Sequence, residues 1–412
     1  MRKLNFISGN KVVLLHCGAD YFSKMLAEID LAAEEIYLET YIFANDQTSA
    51  QVQQALCRAA ARGVKVRVII DWVGTGDRYS NVLVREFTQA GVECRRFNPW
   101  FKRGLVRTHR KICVIDSRVA LVGGLNIIDD LISDDGYGTV LAFPRWDFAV
   151  HIEGGLVEHI FLEIKTQWLR LGKMNLLTRF KLIRNLRQQV RTSSPQATQA
   201  ALVVRDNLRN RVTIQRAYLH ALGLARKRAI LATPYFAPGG KFRRALISAA
   251  NRGVDVTLLI GVGQFKLQDA VTNSFYPKLF AHGIKIVEYQ KTQLHGKVAV
   301  IDHDWATVGS SNFDGLSLFV NQEANIVIRN QAFAETLTAH LERGIAEGRP
   351  VDPKEYANQA WYKRIWYGIA YFVYRSLMRI ATLGIYRNCH ADYRCVGILP
   401  NCFEPIVFGC HY

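Results

Sequence analysis

The sequence contains no C-x-x-C pair, which removes the commonest frame for a structural zinc or a dithiol redox site. Its first residues, MRKLNFISGNKVVLLHCGADYF, hold no sustained apolar segment, so neither a signal peptide nor an N-terminal membrane span is expected. Acidic residues are scarce: 35 stand against 53 basic ones, a net charge of +18. Such a surplus favours an anionic partner, with nucleic acid and an anionic membrane as the two candidates. Between Ile164 and Arg205 there is no acidic residue at all. The chain does not lack apolar material, since 49% of its 412 residues are hydrophobic and 21% charged. A disordered chain is thereby excluded, and two domains with their own cores fit the length.

The cysteines fall into two groups. Cys17, Cys57, Cys94 and Cys113 are scattered through the first half and read as reduced core residues of a cytosolic fold. Cys389, Cys395, Cys402 and Cys410 crowd the end of the chain near His390 and His411, at a spacing too loose for a metal site. No metal and no cofactor is expected.

What is present is a duplication. THRKICVIDSRVALVGGLN (Thr108–Asn126) and LHGKVAVIDHDWATVGSSN (Leu294–Asn312) share the skeleton H-x-K, D, G-[GS]-x-N, with all five positions 186 residues apart. AARGVKVRVIIDWVGTG (Ala60–Gly76) is echoed by ANRGVDVTLLIGVG (Ala250–Gly263), and AGVECRRF by HGIKIVEY. In each half, β-branched runs alternate with helical patterns that stop at glycine, which argues an α/β layered fold. The division expected is a first half over 1–165, a basic connector over 166–205, a second half over 206–348 and a tail over 349–412.

Two segments lie outside the repeat. In KMNLLTRFKLIRNLRQQVR (Lys173–Arg191), Leu176, Phe180, Ile183 and Val190 share one helical face beneath a basic one, the pattern of a helix lying on an anionic membrane. A helix packed on its own domain is the alternative. TSSPQATQ (Thr192–Gln199) then reads as a flexible linker. The tail WYKRIWYGIAYFVYRSLMRIATLGIYR (Trp361–Arg387) is rich in Trp and Tyr, but its uncharged stretch, Ile365–Tyr374, is ten residues, half of the ~20 that a spanning helix needs. Arg364, Arg375 and Arg379 cluster on a helical wheel and leave a broad aromatic face. An interfacial anchor is expected, with packing against the core as the alternative.

Each motif sits on a strand-like run followed by a turn and a second apolar run, a hairpin signature. Alternation puts His109 and Lys111 on one face, and likewise His295 and Lys297. Asp116 and Asp302 have the opposite parity, so they are expected to organise the turn. Asn126 and Asn312 follow glycine-containing turns and offer neutral donors. Each copy therefore supplies an acid–base or nucleophilic imidazole, a fixed cation and an amide. Two copies facing each other across a pseudo-twofold axis suit a tetrahedral phosphodiester.

The two motifs resemble the paired HKD motifs of the phospholipase D superfamily, and the resemblance covers nearly everything up to about Gly348. Within it, LETYIF (Leu38–Phe43), RGVKVRVIIDWVG (Arg62–Gly74) and NQEANIVI (Asn321–Ile328) are similar to the bacterial cardiolipin synthase B branch. The resemblance implies two α/β/α sandwich halves forming one pseudo-twofold catalytic unit, with Asp116 and Asp302 counted among the catalytic residues. It implies phosphatidyl transfer through a phosphohistidine, with His109 as nucleophile and His295 as acid–base, though the duplication leaves the reverse assignment open. It also implies that Glu323 orients His109 and Asp147 orients His295, each across the halves.

The substrate implied is phosphatidylglycerol, one molecule giving its phosphatidyl group to another to form cardiolipin and glycerol. The partners are then anionic phospholipid and a membrane surface rather than nucleic acid. The implied location is the cytoplasmic face of the bacterial inner membrane, held peripherally or monotopically. Phospholipid hydrolysis, phosphatidylserine synthesis and phosphodiester cleavage of nucleic acid stay open as alternatives, as does a non-catalytic binder of anionic surfaces. The oligomeric state is not legible.

Overall fold

The computed structural model describes residues 4–133, 138–172, 198–207 and 210–387. The basic helix expected at Lys173–Arg191, most of the linker after it and the Cys-rich end beyond Arg387 lie outside the described residues.

Sixteen strands are formed among the described residues. In the first half they are β1 (Ile7–His16), β2 (Glu35–Thr40), β3 (Lys65–Asp71), β4 (Glu93–Phe97), β5 (Lys102–Leu105), β6 (Ile112–Ile115), β7 (Val119–Gly123) and β8 (Phe148–Glu153). In the second they are β9 (Thr198–Arg205), β10 (Arg228–Thr233), β11 (Asp255–Gly261), β12 (Lys285–Tyr289), β13 (Val298–Ile301), β14 (Trp305–Gly309), β15 (Glu323–Arg329) and β16 (Arg349–Pro350). The order across the sheet is β16-β12-β11-β10-β13-β14-β15-β9-β1-β8-β7-β6-β2-β3-β4. Outward from the centre, β1-β8-β7-β6-β2-β3-β4 is matched strand for strand by β9-β15-β14-β13-β10-β11-β12. The duplication in the sequence is thus a duplication of topology. Thr198–Arg205, read from sequence as the end of the connector, is the central strand β9.

The hairpins carrying the motifs form as their pattern requires. β6 pairs with β7 from Ile112↔Val122 to Ile115↔Val119, and β13 with β14 from Val298↔Val308 to Ile301↔Trp305. These four strands are buried at every residue, which explains why they read as continuous apolar runs rather than alternating ones. Each half also has a parallel trio, β2-β3-β4 and β10-β11-β12. The helices between these strands, Gln47–Ala61 and Gly240–Asn251, end just before Gly63 (φ +92°) and Gly253 (φ +90°). A side chain at either position would be strained by the left-handed backbone.

One apolar core joins the halves. Val114, Val122, Phe148 and Val150 from the first meet Val300, Val308 and Ile326 from the second, with Leu337 and Leu341 of helix Gln331–Glu347 packed on top. Each side chain buried in this way contributes roughly 1.5–3 kcal/mol, so neither half is expected to keep its fold without the other.

Asp116 and Asp302 close the far ends of the motif strands. Asp116 accepts the backbone N–H groups of Ala33, Glu34 and Glu35, each at 2.9 Å. Asp302 does the same for Arg226, Lys227 and Arg228, at 2.7–3.2 Å. Both sit in left-handed backbone (φ 52° and 54°), which aspartate tolerates better than most residues. Seven extended residues, roughly 20 Å of chain, separate each from its histidine. The catalytic role that the resemblance gave these two aspartates is corrected here. They hold the start of β2 and β10, as strand alternation indicated. Asp116→Ala and Asp302→Ala should each lose about 1–3 kcal/mol of stability, measured by chemical denaturation, with the titration of the two motif histidines unmoved.

Candidate active site

Besides the pairing of β1 with β9, two isolated backbone bridges join the halves among the described residues, and a histidine stands beside each. Thr108 bridges to Gln322, and Trp146 to Leu294. The backbone N–H of His109 donates to the Gln322 carbonyl at 2.9 Å, and those of His295 and Gly296 donate to the Trp146 carbonyl, both at 2.9 Å. These crossings place the residue after Gln322, Glu323, beside His109, and the residue after Trp146, Asp147, beside His295.

The pairing crosses the halves at the side chains too. His109 Nδ1 lies 3.1 and 3.0 Å from the two Glu323 carboxylate oxygens and 3.1 Å from the Ser310 carbonyl. His295 Nδ1 lies 2.5 Å from Asp147 Oδ2. With acceptors on Nδ1, the bonding pattern assigns the proton there, which makes Nε2 the atom with a lone pair for chemistry. Lys111 Nζ donates to the His109 carbonyl at 2.8 Å, and Lys297 Nζ to the His295 carbonyl, so each ammonium is pinned within two residues of its imidazole. Both lysines are fully buried.

Burial is the largest influence on His109 and pushes its pKa down. Glu323 pulls it up, and Lys111 and Lys297 push it down again, so the ring rests neutral. Burial alone would raise Glu323 and Asp147, but in each case the neighbours outweigh it. His109, Lys111 and the Ser310 hydroxyl hold Glu323 low, and His295, Lys297 and the Phe148 N–H hold Asp147 low. The site is therefore two carboxylates, two imidazoles and two ammonium groups at one seam, a set suited to a small tetrahedral anion.

Asn126 and Asn312 lie beside the seam. Asn126 Oδ1 accepts from the Ile42 N–H at 3.2 Å, fixing its carbonyl end and leaving its amide as a donor. Asn312 is buried, and its Oδ1 meets no partner among the described residues. His109, Lys111, His295, Lys297, Glu323 and Asp147 are thus brought to one seam. Among the described residues no group of three or more His, Cys, Asp or Glu is arranged to hold a metal ion.

Several participants had not been read from the sequence. Ser310 Oγ donates to Glu323 Oε2 at 2.5 Å and accepts from the Ala324 N–H at 3.0 Å. Its counterpart, Gly124, has no side chain, and a Cβ there would lie 2.2 Å from Asp147 Oδ1. The variable G-[GS] position of the skeleton was the signal. Tyr41 sets its ring edge-on to His109, centroids 5.1 Å apart, with Lys111 Nζ 5.4 Å from the ring centre. Behind His109 lies a buried polar layer. Glu39 accepts from the Thr108 hydroxyl, Asp71 accepts from the Thr108 N–H at 2.9 Å, and Arg110 pairs with Glu163 at 3.0 Å. Strand register puts Ala232, Gly261, Leu294 and Gly296 where the second half matches Glu39, Asp71, Thr108 and Arg110. The two histidines are equivalent in their partners and unequal in what stands behind them.

The chain matches the family model described as "Cardiolipin synthase, PLD-like domain" over residues 25–135 and 218–345. It is 38% identical to cardiolipin synthase B of Escherichia coli K12, covering 87% of this chain and 86% of that one. It is 36% identical to cardiolipin synthase B of Salmonella typhi, over 89% and 87%. In structure it is similar to phosphatidylserine synthase of Haemophilus influenzae, with a TM-score of 0.65 at 13% identity, covering 93% of this chain and 97% of that one. That likeness speaks for the fold.

The electrostatics fix a sign. The Glu323 carboxylate favours imidazolium, so removing its charge leaves burial and the lysines to act alone on His109. In Glu323→Gln the His109 ring, followed by NMR, should protonate at lower pH than in the wild type. A shift to higher pH would show that Glu323 does not bear on His109 as the geometry requires.

Proposed function

The chain belongs to the phospholipase D-like cardiolipin synthase family, and on that premise we propose that it transfers a phosphatidyl group between two molecules of phosphatidylglycerol, giving cardiolipin and glycerol. The observation that carries the mechanism is the crossed pairing, in which each imidazole is held at Nδ1 by the carboxylate of the other half.

His109 Nε2 attacks the phosphorus of the first phosphatidylglycerol. The bond from phosphorus to the glycerol headgroup oxygen breaks, and His295, which enters this step as an imidazolium beside the Asp147 carboxylate, gives that oxygen its Nε2 proton. The phosphatidyl group is now on His109, and His295 is neutral. His295 then takes the proton from a headgroup hydroxyl of the second phosphatidylglycerol, whose oxygen attacks phosphorus. The bond to His109 breaks and cardiolipin leaves. Lys111, Lys297 and the amides of Asn126 and Asn312 balance the phosphoryl oxygens. His109 is assigned as nucleophile because burial keeps it neutral and because Glu323 and Ser310 fix its ring.

Phosphatidylglycerol is met at a membrane, and helix Trp361–Arg387 supplies an attachment. One face docks: Tyr371 packs edge-on against Phe275 at 5.3 Å, and Tyr374 Oη accepts from the Gly315 N–H at 2.7 Å. Another face leaves Trp361, Tyr362, Ile365, Trp366, Ile369, Phe372, Val373 and Leu377 exposed, an arc of about 160° at 100° per residue. Among the described residues no helix is long and apolar enough to cross a membrane. The helix lies in the interface plane, and the enzyme works from the cytoplasmic face of the inner membrane.

Purified protein given phosphatidylglycerol vesicles should release cardiolipin and glycerol in equal amounts by mass spectrometry. Phosphatidic acid as the main product would make it a hydrolase. Label from the phosphatidyl group should be trapped on the protein in an acid-labile, base-stable form and be missing from His109→Ala. His295→Ala should turn over roughly 10²–10⁴-fold more slowly. Trapping on His109→Ala but not on His295→Ala would reverse the two roles.

The attachment is tested by replacing Trp361, Trp366 and Phe372 together with serine. The variant should keep its fold, because these rings are exposed, and should lose a large share of the vesicle binding that survives high salt. Unchanged salt-resistant binding would remove the helix from the membrane contact.

A further inference from the structure

The two halves build the same fold with different lengths of chain ahead of the histidine. Eleven residues, 98–108, join β4 to His109, whereas five, 290–294, join β12 to His295. The six extra residues are not needed to make the half, since its counterpart forms without them. The longer segment contains Pro99, Trp100, Phe101, Lys102, Arg103 and Leu105. Trp100 is 65% exposed, Phe101 48% and Leu105 56%.

The backbone here is forced. Asn98, Trp100 and Phe101 have φ of 49°, 56° and 52°, a region that bulky residues avoid. Buried Asn98 imposes the bend, donating from Nδ2 to the carbonyls of Gly104 at 2.8 Å and Val106 at 2.7 Å. Strain of this kind persists where the surroundings over-determine it and tends to mark function. Its effect here is to turn two aromatic rings outward, where burial of apolar surface would turn them in. Trp72 braces them, at 5.2 Å from Trp100 and 5.4 Å from Phe101. The second half has Val262 where the first has Trp72.

Between Glu93 and Asp116 the chain carries no acidic residue. Of the basic residues there, Arg96 pairs with Asp77, Arg107 with Asp71 and Arg110 with Glu163, and Lys111 is buried. Lys102 and Arg103 are the cations that the loop itself contributes next to Trp100 and Phe101. The root of the loop is firm. Arg107 stacks over Phe101 at 5.0 Å and its carbonyl accepts from the Gln322 N–H at 2.8 Å, while the Thr108 N–H donates to Asp71. The residue after that root is His109.

We propose that Asn98–Leu105 is an insertion loop for an anionic phospholipid surface, in which Trp100 and Phe101 enter the apolar boundary and the flanking cations meet the phosphates. Aromatic rings beside cations suit that boundary, one part apolar and one part charged. A loop rooted at Thr108 then sets the depth at which His109 meets a lipid phosphate. It is a second contact, separate from helix Trp361–Arg387. It rests on the phospholipid reading above for the identity of the surface, and its readout is depth rather than turnover.

The test is tryptophan quenching by phosphatidylglycerol vesicles brominated along the acyl chain, in a Trp361→Phe/Trp366→Phe background that silences the C-terminal helix. Trp146, Trp168 and Trp305 are buried in the protein, so quenching there reports on Trp100 with its brace Trp72. The background protein should be quenched, and adding Trp100→Phe should remove most of that quenching while binding is retained. Trp100→Ser with Phe101→Ser should weaken vesicle affinity by roughly tenfold or more. Equal quenching with and without Trp100 overturns the proposal, as does unchanged affinity of the serine variant. A dimer in solution that the serine substitutions dissolve also overturns it, making the loop an interface between two copies. Quenching that depends on Trp100 in a protein that makes no cardiolipin upholds the loop and removes the catalytic reading. Cardiolipin synthesis without such quenching does the reverse.

Discussion

Two carboxylates buried almost completely, Glu323 and Asp147, each need an opposite charge or a donor, and each finds it on the other half of the chain. A carboxylate removed from water loses several kcal/mol of hydration unless paired. The pairings Glu323–His109 and Asp147–His295 therefore depend on the two halves meeting in one register. The surrounding structure serves that register. The apolar seam between the sheets, the backbone crossings at Gln322 and Trp146, and the lysines bent back to the histidine carbonyls all bear on where two ring nitrogens stand.

Duplication gives this arrangement its pairs, and departure from duplication gives them different characters. Ser310 stands over Glu323 where Gly124 leaves only room for Asp147. Glu39, Asp71, Thr108 and Arg110 back one histidine, and Ala232, Gly261, Leu294 and Gly296 the other. These differences give the two imidazoles unlike surroundings, which is the direction in which the proposed division into nucleophile and proton donor runs.

Helix Trp361–Arg387 splits its apolar surface between the protein and the outside: the docked face bears out the core-packing alternative, and the exposed face is the part proposed to meet a membrane. The aromatic loop before His109 has no counterpart before His295. Only one histidine strand is joined to the exposed aromatic segment proposed to enter a lipid surface.

The sequence by itself determined the repeat, the layered α/β class, the motif hairpins and the set His109, Lys111, His295 and Lys297. Each of these is written in a local pattern: the period of apolar residues, a glycine after a helix, or a fixed spacing along a strand. Strand parity alone separated Asp116 and Asp302 from the histidines, and the structure agrees with it against the role that the resemblance gave them. That Glu323 and Asp147 reach across the halves was expected from the resemblance, and nothing in the spacing of either residue states it. Tertiary structure alone decided the rest. Ser310 reaching Glu323, Tyr41 beside His109, the polar layer around Glu39 and the outward turn of Trp100 depend on contacts between residues far apart in sequence, or on backbone forced by buried Asn98. Local patterns record which face a side chain takes, whereas which other face it meets is settled only when the chain closes on itself.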